Sequence, residues 1–214
     1  MPRPSQAQDQ ALLASGRRLY PALGCAGLSV RRLAEDAGVN PAMVHYHFQS
    51  KDGFLRALLQ QIYEDLFQDL RLEGSGQGDA RQRLAAALLS LARFVREHRP
   101  TIARLWADAQ AGEAVALDFL RANAPRHLGL LLPLAAEAQR AGLLRPAPPL
   151  QRFVFLMGAV VAPIVIGGGV LHLGVLPPAL QQGLQAEALS DEALRQRVDW
   201  ALEALGRDAG SPHP

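Results

Sequence analysis

His45, His47 and the single cysteine, Cys25, are the side chains with the chemistry to bind a metal or act as a nucleophile, and their surroundings favour neither role. Residues two apart on a helix point to different faces, and no cysteine or acid cluster accompanies the two histidines, so no metal site is expected. Cys25 lies between Gly24 and Ala26 with no activating base beside it and reads as a buried or incidental thiol. No G-x-S-x-G or H-E-x-x-H motif occurs. The glycine-rich stretch from Glu73 to Asp79 matches neither G-x-G-x-x-G nor a P-loop and has no strand before it, so it reads as a flexible connection. Neither an enzyme nor a cofactor is expected. The formal net charge of +2 is too small to indicate nucleic acid by itself, but the charge is not evenly distributed along the chain. Residues 1–56 carry seven basic against four acidic residues, a balance of +3, while the rest carries fifteen against sixteen, a balance of −1.

The elements that must position these residues are helices. Apolar residues make up 49% of the chain and aromatics only 6%, a balance rich in Ala, Leu and Arg that favours helix over strand, so an all-α protein is expected. Leu12, Leu19, Tyr20 and Leu23 share one face of a first helix, which should end around Pro21 to Gly24. Ser29 should cap a short second helix with Val30, Leu33, Ala34 and Ala37 inward and Gly38 as its stop. Asn40 followed by Pro41 reads as cap and first residue of a third helix running to Phe48. Ser50 caps a fourth, with an apolar stripe of Phe54, Leu55, Leu58, Leu59, Ile62 and Leu66. Helical blocks follow at about 79–98, 100–110, 113–141 and 149–167. A Gly- and Pro-rich irregular stretch and a last amphipathic helix at about 190–206 complete the chain, the helix capped by Ser190 with a stripe of Leu194, Val198, Ala201, Leu202 and Leu205.

Two short helices around a tight turn at Gly38, braced by a preceding helix, have helix-turn-helix form. The small-residue turn of Ala34 to Val39, the Tyr46-His47-Phe48 run and Ser50-Lys51-Asp52 give residues 6–66 a resemblance to the DNA-binding domain of the TetR (tetracycline-repressor) family. The resemblance implies that Asn40 to Phe48 is the recognition helix, its N-terminal half in the major groove and the flanking residues on phosphates. It implies DNA-binding roles for Ser29, Arg31, Asn40, Pro41, Ala42, Met43, His45, Tyr46, His47 and Lys51, the only lysine of the chain. Two features depart from the family pattern: His45 stands where Tyr is usual, and Pro21 interrupts the end of the first helix. Val44 and Phe48 read as packing beneath the recognition helix.

The resemblance further implies a C-terminal domain, here 72–207, that binds a small-molecule effector and forms a homodimer through its last two long helices, at about 149–167 and 190–206. The Ala141-Gly142-Leu143-Leu144-Arg145-Pro146 segment resembles the helix end that precedes them. Phe94, Leu105, Trp106, Phe119, His127, Leu131, Phe155 and Met157 are the candidate pocket residues, bulky apolar groups with an occasional donor. The uncharged run from Phe153 to Ala186 is long enough to span a bilayer. Its prolines, its glycine triplet and the lack of a flanking basic cluster argue instead for burial between subunits. With one cysteine and an N-terminus unlike a secretory leader, a cytoplasmic repressor of operator DNA, released by its effector, is the expectation. The alternative is a helical small-molecule-binding protein or enzyme retaining a degenerate helix-turn-helix.

Overall fold

The computed structural model describes residues 4–206, with side chains described from residue 7 onward. Arg3, counted in the basic N-terminal balance, and Arg207, the end of the expected second domain, lie outside the described residues. Among the described residues there are helices and no strands: α1 Pro4–Gly27, α2 Val30–Ala37, α3 Ala42–Phe48, α4 Lys51–Gly74, α5 Ala80–Glu97, α6 Arg99–Gln110, α7 Ala114–Arg140, α8 Pro149–Leu156, α9 Ala162–Leu173, α10 Pro178–Ala188 and α11 Asp191–Ala204. A π-helical turn, Met157–Val161, joins α8 to α9 without a break.

The expected punctuation holds locally. Ser29 accepts the amide of Arg32, Gly38 ends α2 in the left-handed conformation, and the Ser50 hydroxyl accepts the amide of Gly53. The Ser190 hydroxyl accepts the amide of Ala193. Asp79 and Gln82 form a reciprocal capping box at the start of α5. Pro21 does not end α1; the helix passes it and breaks at Gly24.

The helices form two compact units. The first takes the chain to Asp65 together with Pro100–Ala124, and its core includes Leu12, Tyr20, Leu28, Leu33, Val44, Phe54, Leu55 and Leu58, each at most 1% exposed. The second takes Leu66–Arg99 and the chain from Pro125 onward. There α11 packs against α5 and the π turn, burying Leu84, Ala87, Leu88 and Val160 against Leu194, Val198 and Leu202.

Two expectations are corrected in this unit. The Gly- and Pro-rich stretch is helical over most of its length, as α9 and α10. Of the three glycines, Gly168 serves close approach: a Cβ there would collide with the side chain of Arg99, which crosses the helix at that point. The stop comes later, at Gly174, with φ of 63°. The α11 stripe expected at a subunit interface is instead spent inside the protomer, where Leu202 is 1% exposed and Leu205 4%. What remains outward is different: Leu150, Val154, Phe155, Ile166, Leu173 and Trp200 are all exposed. Pro149–Leu173 is long and apolar enough to cross a membrane, with mean hydropathy 2.4, and only 28% of its most apolar stretch is buried in the protomer.

Arg152 is a buried cation without a carboxylate. It is 2% exposed, one Nη donates to Gln139 Oε1, its buried Nε has no partner, and burial holds its pKa below the usual guanidinium value. Gln139 Oε1 also accepts the amide of Ala147, tying the end of α7 to the segment before α8. A buried charge stripped of its last partner is costlier than no charge at all. Gln139→Leu should therefore destabilise the protein by about 3 kcal/mol, and Arg152→Met by distinctly less, as read from urea unfolding midpoints of the two variants.

Candidate nucleic-acid interface

The turn between α2 and α3 is built by backbone chemistry. Gly38, at φ 66° and ψ 31°, lets its own amide and that of Val39 bond back to the end of α2, on Glu35 and Ala34. Two residues on, the Asn40 side chain accepts the amide of Ala42 at 2.9 Å, and Pro41 already has helical φ and ψ of −51° and −31°. Asn40 and Pro41 thus start α3 as cap and first turn, and Val44 is its buried anchor. Asn40, Pro41, Ala42, His45 and Tyr46 are exposed, Tyr46 by 71%, while Met43 is half-buried.

Other candidates are already engaged. Nδ1 of His45 lies 3.1 Å from the carbonyl of Gln49. His47 packs between the rings of Tyr46 and Phe48 with its Nε2 buried and unpartnered. Arg31 pairs with Glu35 one turn on, at 2.7 Å. The neighbouring Arg32, absent from the candidates drawn from the sequence, is exposed; it helps hold the Asp36 pKa down, while the close ion pair with that carboxylate is made by Arg18. Arg31 and Arg32 both have an acid one turn on, Glu35 and Asp36, so spacing alone does not separate them. Gln49 is the one described non-glycine residue with positive φ, 66°, and closes the turn into α4.

Lys51 opens α4, and its Nζ donates to the carbonyl of Cys25 at 3.0 Å. That carbonyl belongs to a broken helix end. Gly24 takes φ 65° and ψ −170°, and the Cys25 amide bonds to Oδ2 of Asp108 on α6, at 2.8 Å. The same oxygen accepts the Tyr20 hydroxyl at 2.9 Å, and Asp108 is 5% exposed. Arg104, one turn earlier on α6, donates to the carbonyls of Pro21 and Ala22 and lies 3.8 Å from the Asp108 carboxylate. Burial first, then the Asp108 carboxylate, push the Cys25 thiol up to about 12, and burial likewise raises the Tyr20 phenol. This is the opposite of an activated thiolate.

The eight candidate pocket residues are divided between the two units, Leu105, Trp106 and Phe119 in the first and Phe94, His127, Leu131, Phe155 and Met157 in the second. Leu105 and Leu131 are core residues, Trp106 and Phe155 are exposed, and Phe94, His127 and Met157 are half-buried. Phe119 lines a groove of about 420 Å³ between α4 and α7, with Arg56, Gln60 and Asn123 among its walls. A larger groove, of about 560 Å³, runs between the last turns of α4 and the middle of α7, lined by Gln68, Arg71, Leu72, Gly129, Leu130, Pro133 and Leu134 among others. Pro133 has no amide to offer the carbonyl of Gly129, so the groove is lined by an acceptor without its helical donor.

Residues 12–58 match the family model of bacterial regulatory proteins, tetR family. The chain is 29% identical over 108 residues to the HTH-type transcriptional regulator BetI of Brucella anthropi, covering 49% of this chain and 53% of that protein. It is 28% identical over 137 residues to BetI of Brucella canis, covering 62% and 66%. The matched region thus spans between half and two thirds of these curated relatives. Its fold is similar to that of a TetR family transcription regulator from Marinobacter aquaeolei VT8, with TM-score 0.65 at 17% identity over 95% of this chain and 97% of the other.

Because the thiol and phenol beside Asp108 keep their protons when folded, the unfolded chain releases protons first as pH rises. Proton loss that favours the unfolded state lowers stability. The protein should lose stability as pH climbs from about 9, the ordinary thiol value, toward about 12, and Cys25→Ser should flatten part of that decline in thermal melts.

Proposed function

We propose that this chain, a member of the tetR family of bacterial regulatory proteins, is a homodimeric transcriptional repressor that α3 docks onto operator DNA and a small-molecule effector releases. The observation that carries the reading is the exposed start of α3, capped by Asn40 and held over the buried Val44, beside the cations Arg32 and Lys51. A short helix presented in this way is the unit that enters a major groove. In this reading residues 6–66 bind DNA and residues 72–207 bind effector and partner subunit.

Asn40, Pro41, Ala42 and Met43 would lie toward base edges, with Tyr46, His45, Ser29 and Lys51 toward phosphates, the division that separates sequence reading from positioning. Arg32 joins the phosphate group on the strength of its exposed guanidinium, which forms no close ion pair. Two recognition helices engage one face of a duplex when about 34 Å apart, so an effector that changes their separation lowers operator affinity, and operator lowers effector affinity in return. The groove between α4 and the middle of α7 has the size of a small-molecule site.

The homodimer reading rests on the outward apolar face of α8 and α9. In an unbroken α-helix Ile166 would sit about 120° round from Val154; the π turn absorbs one residue and brings it back to within about 20°. Leu150, Val154, Ile166 and Leu173 then make one exposed stripe, which a second copy would cover. Trp200 on α11 is exposed as well.

Selection of bound sequences from randomised duplex should return a palindrome; a chain that retains no duplex at low salt would refute the regulator reading. Lys51→Ala should reduce the slope of log affinity against log salt by about one. Val154→Asp with Ile166→Asp should convert the dimer to a folded monomer in sedimentation velocity, with operator affinity falling in parallel. A ligand at a hundred times its Kd should stabilise the full-length chain by about 2.7 kcal/mol in a thermal-shift screen of small apolar molecules.

A further inference from the structure

We infer that Asp108, on α6 and well outside the helix-turn-helix sequence, is a positioning residue for DNA binding: it holds Cys25, whose carbonyl orients the Lys51 ammonium. The inference rests on the reading of Lys51 as a phosphate contact. Its geometry is independent of that reading.

In an unbroken α1 the amide of Cys25 would bond to the carbonyl of Pro21. Gly24 diverts it, and Asp108 takes it over at 2.8 Å. The carbonyls of Pro21, whose helical donor would be that amide, and of Ala22 accept from Arg104, one turn before Asp108 on the same helix. One i, i+4 pair therefore replaces the missing backbone bonds at both poles, an anion for the amide and a cation for the carbonyls. No side chain fits at position 24: φ is +65°, and a Cβ would lie 2.5 Å from Oδ1 of Asp108. The break and the carboxylate are built around each other.

The far side of Cys25 carries the consequence. Its carbonyl receives Lys51 Nζ at 3.0 Å. An ammonium has three donors, so one can stay on this carbonyl while the others meet a phosphate. Lys51 is half-buried, and a long flexible side chain held in place loses less freedom when it meets DNA. Asp108 is the anchor of that arrangement because it is buried and saturated by the Tyr20 hydroxyl, the Cys25 amide and the nearby Arg104. Removing its charge leaves Cys25, and with it the resting place of Lys51, free to shift.

The test is a double-mutant cycle on the full-length chain, titrated onto a random-sequence duplex at several salt concentrations, with melting curves on every variant. Asp108→Asn should weaken binding about tenfold and shrink the salt slope. Lys51→Ala should do the same, and the double variant should be little worse than either, since both remove one contact. Losses that multiply, or an Asp108→Asn protein that binds as the wild type does, would overturn the inference. If Asp108→Asn fails to fold, Tyr20→Phe takes its place in the cycle: coupling to Lys51→Ala is expected, and additivity overturns the proposal. Wild-type protein that binds no duplex would sink the DNA-binding reading itself, a result distinct from additivity among variants of a protein that does bind.

Discussion

The structure around α2 and α3 depends on how one broken helix end is satisfied. Backbone amides and carbonyls buried without partners cost more than most side-chain contacts return. A helix interrupted at Gly24 exposes several at once. The solution is non-local: Arg104 and Asp108 lie more than eighty residues away in sequence and supply an acceptor and donors where the helix needs them. From that point the chain can turn through Leu28 into the Ser29 cap and begin α2 at an angle that a continuous α1 would forbid. The helix-turn-helix is therefore not a self-contained local motif. Its entry is fixed by a carboxylate held in the interior.

The arginines divide by what they meet. Arg83 on Glu137, Arg93 and Arg96 on Asp191, and Arg18 on Asp36 join helices through ordinary ion pairs. Arg104 meets carbonyls as well as a carboxylate, Arg152 meets an amide oxygen, and Arg99 lies over the bare backbone of Gly168. Arg32 shares Asp36 with Arg18, which makes the close contact. A chain with so small a net charge presents a basic face only where its cations are left unpaired, and that is why the +3 balance of the N-terminal residues says less than the pairing pattern does.

Much of this was legible before any coordinates. Caps and stops obey short-range rules, so Ser29, Gly38, Asn40, Ser50 and Ser190 could be assigned from neighbours alone, and the all-α class followed from composition. What could not be read was anything decided by a partner distant in sequence. The glycine triplet in α9 looked like a break because the partner of its middle residue, Arg99 over Gly168, is some seventy residues upstream. The α11 stripe looked like an interface because periodicity reveals that a face is covered and not by what; α5 covers it. Asp108 looked like any acid on a helix, since neither Tyr20 nor Cys25 announces it. The lining of the two grooves was least legible for the same reason, because a cavity has no period and no cap.

The π turn at Met157–Val161 works as an indexing device. By holding one residue more than an α-helical turn, it sets the phase between the two ends of a long rod, so that apolar side chains before and after it look in one direction. Phase depends on residue number and only weakly on identity. The segment can therefore drift in sequence among small and branched apolar residues with little effect, whereas loss or gain of a single residue rotates everything beyond it by about 100°. Descendants of this chain should vary there in spelling and stay constant in length.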